Sequence, residues 1–177
     1  MTDEVKYNKN WIYGYKAFNK NLTNQYGEKY KIHKLYTDPR INDGGGYHFC
    51  KNLEDVYFFY RDSDTTEIYH VCGRGKTYYY SNDYCGLYDV YATEKLIILD
   101  LATREEIINM FLNGKNITQD RLLRFISFFK MSKEELLLFK NKYSNNDNIY
   151  MNSNNIMNYL SYYQEGNKDA FSKKRSI

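Results

Sequence analysis

The apolar residues change period near Asp100, and that change calls for two kinds of structure in one chain. Before it, side chains alternate with a period of two or cluster as aromatics between turn residues. After it, they recur at three- and four-residue intervals. A period of two is the mark of a half-buried strand and a period near 3.6 that of an amphipathic helix. The expectation is an α+β protein: a compact mixed or antiparallel sheet domain over residues 11–100 with one short helix, then short helices over 101–165 packed on the sheet or on a second copy, then a basic tail over 166–177. A length of 177 residues suits this plan.

Within the first part, Trp11–Phe18, Tyr30–Leu35, Tyr47–Cys50, Glu67–Cys72, Thr77–Tyr80 and Glu94–Asp100 read as strands. Asn42-Asp43-Gly44-Gly45-Gly46 reads as a loop with unusual backbone angles, and Gly73-Arg74-Gly75 as a strand break. Asn52 stands where a helix cap would be, ahead of a helical spacing at Leu53, Val56, Tyr57 and Tyr60. In the second part, helices are expected at Thr103–Asn113, ended by Gly114, and at Thr118–Lys130. A third opens at Ser132 and closes near Tyr143, because Ser132-Lys133-Glu134-Glu135 is a capping box. A last helix follows Ser153.

Composition excludes several classes. The formal net charge is +3, and residues 1–100 carry 13 basic and 14 acidic side chains, net −1, so the chain is no strongly basic nucleic-acid binder. No apolar run approaches the ~20 residues of a membrane helix. The start of the chain shows no secretory signal, and three cysteines are too few for a disulfide framework, so an intracellular setting is expected. The 21 tyrosines sit among many Asn and Lys residues, as an AT-rich genome would give.

Three constellations could carry chemistry. His48-Phe49-Cys50 and His70-Val71-Cys72 repeat one spacing. If their strands were adjacent, His48, Cys50, His70 and Cys72 could surround a zinc ion, with Cys85 to spare. The alternative is that they are core residues of a sheet. Gly75-Lys76-Thr77 matches the end of a phosphate loop, but His70 replaces the earlier glycine and tyrosines replace the helix. Tyr78–Tyr80 with Arg74 and Lys76 could stack on a single-stranded nucleic acid. The carboxylate pairs Glu54-Asp55 and Glu134-Glu135 stand at helix starts, where the helix dipole accounts for them.

The run Gly44-Gly45-Gly46-Tyr47-His48-Phe49-Cys50-Lys51-Asn52-Leu53-Glu54-Asp55-Val56, followed by Tyr60, resembles an uncharacterised domain of phage and bacterial proteins with a Gly-aromatic-His-Phe-Cys stretch. With Thr66–Val71 and Lys95–Leu99, it also resembles the N-terminal domain of mimivirus-like ankyrin-repeat proteins over about residues 11–112. That resemblance implies a giant-virus protein of unassigned activity, a non-enzymatic interaction or structural module. It would need no cofactor, would take a protein partner or a second copy of itself, and would act in host cytoplasm or in the virion, away from membranes. A second resemblance is to poly-ADP-ribose-polymerase-like transferases, through Gly46-Tyr47-His48-Phe49, Tyr57 or Tyr60, and Glu94 before Leu96–Leu99. It implies an enzyme that binds NAD. His33 would grip the nicotinamide ribose, His48 would stand at the tyrosine position of that family, and Glu94 would polarise the attacked sugar.

Overall fold

Two long strands carry the first half of the molecule. In the computed structural model, which describes residues 6–24, 26–43, 45–59, 66–81, 89–114, 117–144 and 153–164, β4 (Thr66–Ser81) pairs on one side with β1 (Lys6–Asn19) and on the other with β5 (Asp89–Leu101). The opposite edge of β5 takes two short strands end to end, β2 (Leu35–Thr37) and β3 (Tyr47–Cys50). All pairings are antiparallel. The sheet then curls back on itself, because β3 also meets β1, at the single register position Tyr15↔Cys50. The chain forms two compact units, one up to Ile107 and one from Ile108 onward, and together they make an α+β protein.

The curl is tight, and glycine makes it so. A β-carbon on Gly14 would overlap the Cys50 carbonyl oxygen and stand 2.7 Å from the Phe49 ring. One on Gly73 would overlap the Thr93 hydroxyl and the same ring. Both glycines therefore vacate the inner face for Phe49, which packs there with Phe18, Val71, Leu96 and Ile98. Tilted rings extend this core: Phe18 to Tyr30 at 5.4 Å, Tyr30 to Tyr36 at 4.9 Å, and Tyr36 to Tyr47 at 6.3 Å between centroids.

Three local readings need correction. Residues 31–34 form a turn rather than a strand: His33 takes φ +58° and its amide donates to the Ile98 carbonyl at 2.7 Å. Strand β4 is not broken at Gly73–Gly75. It runs through as a bulge, with Gly75 at φ +91° and Glu94 Oε2 accepting the Lys76 amide at 3.1 Å. The short helix α1 spans only Leu53–Val56, and Asn52 does not cap it. Its side-chain amide donates to Asp55 instead, at 3.0 Å. The turn expected at Ser81–Asp83 falls largely outside the described residues, as do the linker after Ser144 and the basic tail.

The second unit is helical. Helices α2 (Arg104–Asn113, within which the unit boundary falls), α3 (Gln119–Phe128), α4 (Lys133–Tyr143) and α5 (Ser153–Gln164) lie within two residues of the expected spans at the ends that the sequence marked. Thr118 Oγ1 caps α3, and Ser132 with Glu135 closes the capping box of α4 in both directions. The core is a phenylalanine stack. Phe111 lies 3.9 Å from Phe125 and nearly parallel to it, and Phe125 is flanked by Phe129 and Phe139. Tyr143 donates to the Phe111 carbonyl at 2.5 Å, and burial pushes its hydroxyl up to about 12.

Candidate functional site

Because residues opposite each other in a ladder share a face, the register assigns every side chain of the wall β1–β4–β5–β2. Val71 and Gly73 face inward, so Cys72 and Arg74 face out. Cys72 is opposite Tyr13 on β1 and Ile97 on β5, and Ile97 is opposite Leu35 on β2. That is one outward row. Arg74 is opposite Lys95, and Lys95 opposite Thr37, which makes a second. A bulge in β1 lets Trp11 join this row, with the Arg74 guanidinium 4.3 Å from the centre of its ring. Tyr7 opposite Lys76 makes a third. Tyr7 and Tyr13 are 66% and 65% exposed, and Leu35 is 45% exposed, so the rows end in apolar side chains open to solvent. Rings beside cations on one face of a sheet present two chemistries at once, stacking and charge.

A polar cluster continues the wall. Tyr15 donates to Glu106 Oε1 at 3.3 Å, His70 Nε2 lies 2.9 Å from Glu106 Oε2, and the Tyr15 and His70 rings are 4.9 Å apart. Glu106 sits in the first turn of α2, where its amide donates to Thr103 Oγ1. Burial and then Glu106 push the Tyr15 hydroxyl above the ordinary tyrosine range. A histidine–carboxylate pair could serve as a base. Burial, then Asp55, pushes Cys50 well up, and burial also raises Cys72. Both remain thiols, which are poor nucleophiles. The cluster clamps the start of α2 onto β1 and β4.

The zinc reading required the strands of His48–Cys50 and His70–Cys72 to be neighbours. They are not. Strand β1 lies between β3 and β4, and Tyr15 stands opposite both Cys50 and His70. Two strand spacings of roughly 4.8 Å separate the pairs, too far for one tetrahedral ion. Among the described residues no group of three or more His, Cys, Asp or Glu side chains is arranged for a metal, and Cys85 lies outside them. The residues of the transferase reading occupy separate local roles. His33 is an exposed turn residue, Glu94 holds the bulge amide of Lys76, and His48 turns its ring to Tyr80 at 5.7 Å. Gly75-Lys76-Thr77 belongs to a strand, not to a loop before a helix. Glu54 and Asp55 stand in the first turn of α1, as expected, and are buried there, with Asp55 Oδ2 accepting the Asp89 amide at 3.1 Å.

The sequence reading passed over Lys16 and the outward residues of β1. Lys16 shares the inner face with Ile12, Gly14 and Phe18. Just past Tyr15↔Cys50, where β1 and β3 part, its ammonium donates to the His48 carbonyl at 2.5 Å. Burial brings it down to about 8. The signal was the period of two itself: a lysine at an apolar position of a strand, and Tyr7, Trp11 and Tyr13 at the alternate ones.

The fold and this wall define a class: a curled antiparallel sheet with an aromatic core on its inner face and exposed rings and cations along part of its outer face. The chain belongs to the family described as Domain of unknown function (DUF7666), whose model matches residues 12–108, more than half its length. The match begins within β1, at Ile12, and ends in α2, at Ile108, so Tyr7 and Trp11 lie outside it. Comparisons with curated proteins and with solved structures find no match.

Proposed function

We propose that this protein is a non-enzymatic interaction module that works through the outer face of the wall β1–β4–β5–β2. The observation that carries the reading is the set of outward rows: Tyr7, Tyr13 and Leu35 stay open to solvent, while Phe18, Phe49, Val71, Leu96 and Ile98 on the other face are buried. Apolar side chains grouped on one surface are what binding sites expose. The transferase alternative draws less support, since His33, His48 and Glu94 each have a structural task of their own. The reading keeps the setting expected from the sequence resemblance, a giant-virus protein acting in host cytoplasm or in the virion.

The test is affinity purification of the tagged chain and of a Tyr13→Ser, Leu35→Ser double variant from the same cells. The reading predicts that associations held by the wild type are lost in a variant whose melting temperature is unchanged. Equal recovery contradicts it. So does a rise in melting temperature with NAD, which would favour the transferase.

A further inference from the structure

Resting on that reading, we infer that the outer wall takes a single-stranded nucleic acid, with bases stacked on Tyr7 and Tyr13 and phosphates held by Arg74, Lys76 and Lys95. The three cations are brought together by register, not by sequence. Arg74 and Lys76 flank Gly75 on β4, and Lys95 stands opposite Arg74 on β5. The carboxylate set among them, Glu94, turns its Oε2 to the Lys76 amide and is tied into the bulge. With three cations to this one carboxylate, the wall has a local excess of positive charge on a domain whose residues 1–100 are net −1.

The rings explain why the partner is single-stranded. A duplex hides the faces of its bases in its own stack, and only an open strand offers them to a tyrosine. Successive outward positions on a strand are about 6.6 Å apart, and the next strand lies roughly 4.8 Å to the side. A backbone running along β4 would thus keep its phosphates beside Arg74 and Lys76 while its bases reach across to β1. Trp11 is committed to Arg74, at 4.3 Å, and fixes that guanidinium rather than taking a base. Stacking faces beside cations match the two chemistries that every nucleotide carries together, a base and a phosphate, and this pairing favours the nucleic acid. The face lies on β1 and its neighbours, not on Tyr78–Tyr80. Tyr78 and Tyr80 pack on each other at 4.2 Å, and Tyr79 donates to Asp89.

Fluorescence anisotropy of a labelled oligothymidylate, titrated with the full chain, tests this. Binding is expected to weaken steeply between about 50 and 200 mM salt. The Tyr7→Ala, Tyr13→Ala double variant should bind about tenfold more weakly. A Lys76→Gln, Lys95→Gln variant, which keeps the rings, should bind more weakly and with a shallower salt dependence. Tyr26→Ala, at another exposed tyrosine, should bind as the wild type does. Melting temperatures establish that each variant is folded. The inference is overturned by any of three results: no binding by the wild type, equal binding by the tyrosine double variant, or a duplex held as tightly as the single strand. If oligonucleotide binding fails while the Tyr13→Ser, Leu35→Ser variant still loses its cellular associations, the partner is a protein and the interaction reading stands. If both fail, that reading falls too.

Discussion

The sheet unit and the helical unit solve the same problem by opposite means. In the helical unit each element carries its own instructions: a cap at Thr118, a capping box at Ser132–Glu135, and a stripe of phenylalanines that meet once the helices form. In the sheet unit little is local. Tyr15 meets Cys50 across 35 positions, by their numbers, and the curl depends on Gly14 leaving room for a carbonyl and a ring. Local determinants fail one at a time and cost little each. A non-local closure fails at the one place where two strands must touch. Each unit also holds a cation among its apolar groups: Arg121 of α3 is buried in the helical unit, and in the sheet the parting of β1 and β3 leaves the His48 carbonyl for Lys16 to hold.

Gly14→Val should cost about 5 kcal/mol or prevent the sheet unit from folding, since the obstacle is a backbone oxygen that cannot turn away. Hydrogen exchange followed by mass spectrometry should show protection lost in β1, β3 and β4. If α3 and α4 lose protection equally, the two units unfold as one and the contrast fails. Phe125→Ala, at the centre of the phenylalanine stack, should cost about 3–5 kcal/mol by denaturant unfolding. A loss near zero would mean that the stack does not organise the helical core.

Lys16 makes the stability of the sheet unit depend on pH. Its folded-state value, about 8, lies below the ordinary 10.5. Between those values the unfolded chain binds more protons than the folded one, so the Lys16 contribution makes stability rise with pH across roughly 8 to 10.5, by on the order of 1–3 kcal/mol. Below about pH 8 the lysine is charged in both states and the penalty is present in full. The difference in unfolding free energy between wild type and Lys16→Met isolates this slope from the tyrosines, whose titration acts in the opposite sense. A pH-independent difference would place the Lys16 ammonium in water. The smallest effect belongs to the helices: Ser132→Ala should cost about 1 kcal/mol, by loss of the amide acceptor at Oγ.

The same contrast governs what could be read in advance. Helices α2 to α5 were legible because caps and spacing are properties of adjacent residues. Strands β1, β3 and β5 were legible as strands for the same reason. Their neighbours were not, since which strand lies beside which depends on the whole sheet, and the zinc set rested on an adjacency that β1 removes. Gly73–Gly75 read as a break because glycine weakens strands, yet one of these glycines makes room for Phe49 and the other takes the positive φ of a bulge. The candidate site was half visible. Arg74 and Lys76 stand out in the sequence beside Tyr78–Tyr80, while the ladder also sets them beside Trp11 and Tyr7. Tyr78–Tyr80 are adjacent in sequence, whereas Tyr7 and Tyr13 come to the cations through the β1–β4 ladder.

Trp11 is the single tryptophan of the chain and lies against Arg74 on the outer wall. Its emission therefore reports that face without a label. Titrating the wild type with unlabelled oligothymidylate should change the Trp11 emission saturably, and Tyr7→Ala with Tyr13→Ala should shift the midpoint to about tenfold higher concentration. An oligonucleotide that binds by anisotropy but leaves the tryptophan emission flat would place binding elsewhere and contradict the assignment of the outer wall.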